Sequence, residues 1–346
     1  MSLKNKIKTI LSLLMVFMAV VVSPISADAY RDFTIAAIIP ENQINKSVDY
    51  FDLMMTPNQE QVVNITIENK GSETMVATLD LNNASTGNNG SKQYMIAVEP
   101  DSSMKTPLTS IATLVDTEIE VKPGETKNAS IRIKMPATEQ DGVILGGVAV
   151  KANTLTDKET DSDQGLSISN QLSYLIGLQL RTNNNAVDRN LNLLKVDTAL
   201  IDFNPSIIAS IQNDMPIQMN DISIVGSVNK QGTQESVATV NVSNASIMPN
   251  TNFNVVYAPN NGNLKPGVYD VKLRIIHDTD GKTWEWDETL TIESEDASDI
   301  NDQAIFNKND VNYLAIIIIA ILVLIVVLLF ILIWKRRKKD DNKEVK

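Results

Sequence analysis

Little in this chain could act as a nucleophile or bind a metal. It has no cysteine and a single histidine, His277, which removes thiol chemistry and most zinc sites. His277 falls on an expected strand beside Trp284, where a packed or edge histidine is the plain reading. Carboxylates abound, 42 Asp and Glu against 30 Lys and Arg, yet no motif fixes two of them at the spacing that glycoside hydrolysis requires. Asp161-x-Asp163-x-Gly165 carries part of a calcium-loop pattern, but glycine stands where a third ligand belongs and no glutamate closes the loop. It reads as a solvated charge run. We expect no catalytic residue, no metal and no cofactor, and so no enzyme.

Aromatics and glycines remain as residues of recognition. Tyr50, Phe51 and Tyr94 are amphipathic or apolar rings able to stack on sugar faces. Core packing is their competing role, and it weighs most for Phe51. Gly142 to Val150, GVILGGVAV, reads as a strand buried on both faces. Its glycines have two readings. A partner strand docks at a sheet edge or across the adjoining junction, which makes Gly142, Gly146 and Gly147 docking candidates. Alternatively the strand is central and the glycines relieve crowding.

Alternation supplies the elements that must position these residues. Phe33–Pro40 reads as a strand stopped by proline, and Gln61–Asn69 alternates with Val63, Ile65 and Ile67 on one face. Met75–Leu81, Met95–Val98 and Ile119–Val121 follow. The turn Lys122-Pro123-Gly124-Glu125 leads into Asn128–Lys134. Pro57 and Pro123 each precede a pair of isoleucines by eight and ten residues, two matched turn–strand units within one sandwich. Leu172–Arg181 opens a second unit, followed by strands at sandwich spacing. Asp280-Gly281 predicts a two-residue hairpin that sets His277 opposite Trp284, Ile275 opposite Trp286 and Val271 opposite Leu290. Glu288 then needs a bulge to leave the apolar face. Tyr269, after Pro266-Gly267, resembles a tyrosine corner.

The two ends of the chain speak of export. Lys4, Lys6 and Lys8, the apolar Ile10–Val22 and Ala27-Asp28-Ala29 form a secretory signal peptide, residues 1–29; cleavage after Ala27 is the alternative to a mature start near Tyr30. Tyr313 to Trp334 is an uncharged apolar run, and about 20 such residues span a bilayer. Tyr313 and Trp334 mark its interfaces. Lys335, Arg336, Arg337, Lys338 and Lys339 hold the tail on the cytoplasmic side. No Leu-Pro occurs in the chain, so a sortase signal is absent and the helix reads as a permanent anchor. The whole chain carries −12, the signal segment +2 and the segment from Tyr313 +4, which leaves −18 on Tyr30–Asn312. That charge argues against nucleic acid and against simple attraction to polyanions.

The expected fold is all-β: two immunoglobulin-like β-sandwich domains in tandem plus one C-terminal transmembrane helix. The expected boundaries are 30–153 for the first sandwich, 154–166 for an inter-domain loop and 167–293 for the second sandwich. An acidic spacer at 294–312, the span at 313–334 and a basic tail at 335–346 complete the chain.

Over nearly its whole length the chain resembles the WxL-interacting proteins of Gram-positive bacteria. In the first half the resemblance rests on Tyr50-Phe51-Asp52-Leu53, Lys122-Pro123-Gly124-Glu125 and Gly142–Gly147. In the second half it rests on Tyr174-Leu175-Ile176-Gly177 and Trp284-Glu285-Trp286. It implies a peptidoglycan-binding domain, then a host-binding domain. The implied protein is an adhesive surface scaffold on the cell membrane that holds WxL-domain proteins, contacts peptidoglycan and engages host extracellular ligands. The chain has no Trp-x-Leu of its own, so it is the receiving partner. A wall-active enzyme, a surface sensor and a pilus-type chaperone are the other functions such sandwiches could carry.

Overall fold

Strict alternation builds the first domain. In β3, Glu60–Asn69, every second residue from Val63 is buried, and β9, Thr126–Lys134, repeats the pattern through Ala129, Ile131 and Ile133. The computed structural model describes residues 33–154, 173–233 and 235–304, together with Ile321. The signal segment, the Asp161–Gly165 run, the apolar span from Tyr313 to Trp334 apart from Ile321, and the Lys335–Lys339 cluster lie outside the described residues. Among the described residues no helix is long and apolar enough to cross a membrane.

The first domain is a sandwich of two sheets. One has the order β1 (Phe33–Ile38), β3, β9, β7 (Ala112–Leu114). The other has the order β2 (Phe51–Met54), β11 (Ser173–Arg181), β10 (Ile144–Thr154), β4 (Met75–Asn83), β8 (Glu118–Val121). A short hairpin, β5 (Ser85–Gly87) and β6 (Ser91–Gln93), projects beyond them around a 3₁₀ turn at Asn88–Gly90. A one-turn helix, α1 (Leu108–Ile111), seals one end with Leu108. Met95–Val98, read as a short apolar strand, is an irregular segment with Ile96 and Val98 exposed.

Two expectations about this domain change. Strand β11, which alternation in the sequence places at the start of the second unit, lies between β10 and β2, antiparallel to the first and parallel to the second. Its inward residues Ile176, Leu178 and Leu180 belong to the first core. Tyr174 meets Phe33 edge-on, with ring centroids 4.8 Å apart. The sandwich therefore closes only at Arg181. A run of alternating apolar residues announces a strand but not its partner, which is why the sequence misplaced this one.

The second correction concerns β10. It is paired along both sides, to β4 and to β11, so it offers no edge for a partner strand. A Cβ on Gly146 would stand 2.2 Å from the Asn82 carbonyl oxygen, and one on Gly147 would stand 2.8 Å from that of Ile176. These glycines let neighbouring strands close up, and the backbone at Gly146 and Gly147 offers no free edge to a partner strand.

The second domain packs the sheet β12 (Asn192–Ile201), β13 (Asn204–Asn213), β16 (Thr251–Tyr257) against a four-stranded one. That second sheet has the order β15 (Ser236–Ile247), β14 (Met219–Lys230), β17 (Gly267–His277), β18 (Lys282–Ile292). The β17–β18 loop is Asp278–Gly281, closed by the Gly281 amide donating to the His277 carbonyl at 2.8 Å. The register therefore differs by two residues from a two-residue turn: His277 faces Lys282, Ile275 faces Trp284, Leu273 faces Trp286 and Tyr269 faces Leu290. No bulge is needed. Glu288 pairs with Val271 and stays exposed because β18 is an edge strand. The Tyr269 hydroxyl donates to the Lys265 carbonyl at 2.8 Å, the bond of a tyrosine corner. The acidic segment read as a spacer begins with a helix, α2 (Ser294–Asp302), docked on this domain. Ala297 is buried, and Asn301 exchanges two hydrogen bonds with the Leu264 backbone.

Candidate functional site: the inter-domain cleft

The period of two along β11 turns Ile176, Leu178 and Leu180 inward and leaves Gly177, Gln179 and Arg181 on the opposite face. Gly177 lies beside Tyr50, half-buried on the loop before β2: a Cβ on Gly177 would stand 3.4 Å from the Tyr50 Cβ, in van der Waals contact. Beside it Asp52 is almost fully buried. Its Oδ1 accepts from Gln179 Nε2 at 2.8 Å and pairs with Arg181 Nη2 at 3.3 Å. The pairing follows from register, since Gln179 lies opposite Asp52 in the parallel ladder.

The connection between the domains, residues 182–190, is tied down by amides. Thr182 Oγ1 donates to the Gln140 carbonyl at 2.7 Å, while Asn183 and Asn185 both donate to Asp141 Oδ1, at 2.9 and 2.8 Å. Gly142 stands at φ +83°, a left-handed conformation that favours glycine. A Cβ there would meet the Pro216 carbonyl oxygen of the second domain at 2.2 Å. Gly142 is thus a contact within the chain rather than a free docking point. Next to it the Val143 amide donates to the Pro216 carbonyl at 2.8 Å.

Between these walls lies a cleft of about 600 Å³, with Tyr50, Gln179 and Arg181 on one side, the Asn183–Arg189 segment along the floor and Pro216–Asn220 on the other side. Arg189 reaches from this segment to Asp280 at 3.0 Å. The Nε atoms of Arg181 and Arg189 are both buried with no partner among the described residues. Amides, one tyrosine and two guanidinium groups line this cleft, a surface suited to a polar ligand with hydroxyl and carboxylate groups.

The other aromatics named from sequence do not join it. Phe51 is wholly inside the first core, so it cannot reach a sugar face. Tyr94 turns toward the second domain, its hydroxyl 3.6 Å from Met248 Sδ. Burial, and then the neighbouring Tyr50, push its pKa up to about 12. His277 is buried, with Nδ1 2.6 Å from Asp280 Oδ1. That bond, first among several, holds the exposed Asp280 carboxyl below its usual range.

A second set of contacts fixes the domains together. The tip of the β5–β6 hairpin lies on β15 and β16, where Asn89 Oδ1 accepts from the Val256 amide at 2.8 Å. Asp101 accepts from Gln212 at 2.8 Å and from Asn252 at 2.9 Å. Partial burial raises the Asp101 pKa, but donors from Ser103, Gln212 and Asn252 outweigh it and leave the group below the usual carboxylate range.

Two family profiles match the chain. Residues 33–152 match "WxL Interacting Protein, peptidoglycan binding domain" and residues 163–302 match "WxL Interacting Protein, host binding domain". No curated protein matches. Among solved structures, the chain is similar to PapD-like domain 7 of human CEP192, at 10% identity over 48% of this chain and 94% of that one, TM-score 0.29. It is also similar to the Pseudomonas aeruginosa CupB2 chaperone, at 12% identity over 68% and 96%, TM-score 0.29. A third likeness is to the E. coli chaperone DraB, at 14% identity over 69% and 95%, TM-score 0.26. At that level these likenesses bear on neither function nor partners. The profiles meet close to where β10 gives way to β11, and the second range takes in the strand that closes the first sandwich. Together the two profiles cover both sandwiches in order, and the chain belongs to the WxL-interacting proteins.

Proposed function

We propose that this chain is a non-enzymatic surface scaffold. Its first sandwich binds peptidoglycan, the two-domain body holds WxL-domain proteins, and the second sandwich engages a host extracellular ligand. The observation that carries this is the tandem of the two matched domains in one chain. The uncharged Tyr313–Trp334 run and the Lys335–Lys339 cluster support a single-pass anchor with the body on the wall side. The absence of cysteine and the lack of any placed carboxylate pair in the sequence support a purely binding role.

With −18 on residues 30–312, attraction to the wall comes from hydrogen bonds and stacking rather than from net charge. The test is retention on purified sacculi across a salt series, with release of muropeptides followed in the same samples. Binding that persists to high salt, without release, is expected. Binding that collapses at modest salt would mean ionic attraction dominates, and catalytic release would make the chain an enzyme. Capture of secreted WxL-domain proteins from a cell-surface extract tests the scaffold role.

A further inference from the structure

The largest groove, on the second sandwich, is less suited to a ligand. The groove over β14, β17 and β18 is an open sheet face on which Lys272–Asp287 and Arg274–Glu285 already pair with each other. The exposed residues Ile38, Ile39 and Val62 have nothing near them that specifies an occupant.

We propose that the cleft between the two sandwiches is the glycan subsite, and that it takes an N-acetylated amino sugar with the first residues of its attached peptide, whose free carboxylate supplies the anion. This rests on the peptidoglycan reading above and locates it. Its volume, about 600 Å³, falls within the roughly 300–1,000 Å³ typical of small-ligand sites. The lining suits this ligand class. Asn and Gln side chains donate and accept at once, as sugar hydroxyls and acetamido groups require. Tyr50, braced over Gly177, offers a half-buried ring for a sugar face.

The two arginines specify an anion. Arg181 gives Nη2 to Asp52, and Arg189 gives Nη1 to Asp280. Among the described residues the second terminal nitrogen of each has no hydrogen bond or ion pair, so both guanidinium groups keep donors for a ligand carboxylate. Because Arg181 belongs to the first domain and Gln218 to the second, the site exists only when both are in place.

The test uses the full-length chain in detergent micelles. It is titrated with a purified disaccharide-tetrapeptide and with N,N′-diacetylchitobiose, which lacks a carboxylate, and sacculus retention is measured in parallel. Two variants are compared. Arg189→Gln removes one anion donor. Asn184→Trp fills the cleft from an exposed side chain that makes no hydrogen bond among the described residues, and it leaves the fold's own bonds intact.

We expect the muropeptide to bind at least tenfold more tightly than the chitobiose. Arg189→Gln should weaken the muropeptide about tenfold and leave the chitobiose unchanged, while Asn184→Trp should abolish both. Should Arg189→Gln fail to fold, Asn184→Trp decides alone. If wild-type protein retains sacculi but Asn184→Trp binds muropeptide normally, or wild type binds no muropeptide, the cleft is not the site and the peptidoglycan reading still stands. If wild type retains no sacculi, that reading falls and the subsite with it.

Discussion

Thr86 and Thr251 hold their hydroxyl oxygens 2.6 Å apart across the junction of the two sandwiches. Both are buried, and Met248 completes a ring: its amide donates to Thr86 Oγ1 at 2.8 Å and its carbonyl accepts from Thr251 at 3.0 Å. Thr86→Val would strand the buried Met248 amide and remove the bond to the Thr251 hydroxyl, which keeps its bond to the Met248 carbonyl, at a cost of about 1–3 kcal/mol. Calorimetry should show the second domain's transition fall with the first, because the lost bond is shared. Thr86→Ser keeps the ring and should stay close to wild type.

The crowding at β10 is testable one methyl at a time. Gly146→Ala puts a Cβ against the Asn82 carbonyl, whereas Gly124→Ala meets nothing within 4 Å and pays only for its φ of +71°. We expect Gly146→Ala to lose about 1–3 kcal/mol or more, and Gly124→Ala about 1 kcal/mol. Denaturant melts of both settle the order; equal losses would mean β10 has room to spare. Gly147→Val should likewise unfold the first domain rather than selectively abolish partner capture.

Domain boundaries drawn from sequence similarity should fail in expression. A fragment ending near residue 152 leaves β2 without its neighbour and one side of β10 unpaired, since β11 fills that gap. Residues 33–182 should give dispersed amide resonances and residues 33–152 should not. A well-folded shorter fragment would show that β11 is dispensable.

The Asp101 carboxylate gives the junction a pH dependence. Its folded pKa is depressed, so its contribution is fully present above the unfolded value, about 3.9, and is lost as pH falls through the lower folded value. Stability of the domain pair should therefore drop below about pH 4. Asp101→Asn should flatten that part of the curve while leaving the region above pH 5 unchanged in slope, as thermal melts from pH 2 to 6 can test.

Local alternation made the all-β class and nearly every strand legible, because burial on one face writes itself into every second residue. Pairing was not legible. Nothing within SYLIGLQLR distinguishes a first strand of the second sandwich from the last of the first, and Asp280-Gly281 gives the turn but not whether two residues or four close it. For the cleft, Tyr50 and Gly142 are legible as special residues, but the contact of Gly142 with Pro216 within the chain is not. Arg181, Gln179, Arg189 and Gln218 were passed over because they come together only through the closing of β11 and the approach of Pro216. The one available signal was RTNNNAVDR, three asparagines bracketed by two arginines in an otherwise acidic body.

Helix α2 also has a mechanical meaning. Any pull on the chain beyond residue 304 reaches this helix before the sandwich. It is held by Ala297, the partly buried Ile300 and the two Asn301–Leu264 bonds, whereas β18 behind it is laddered along its full length. Under load the helix peels first. Its 9 residues span about 13 Å when helical and about 30 Å when drawn out. The segment after β18 can therefore lengthen by roughly 17 Å at low force and take up slack while both sandwiches stay folded.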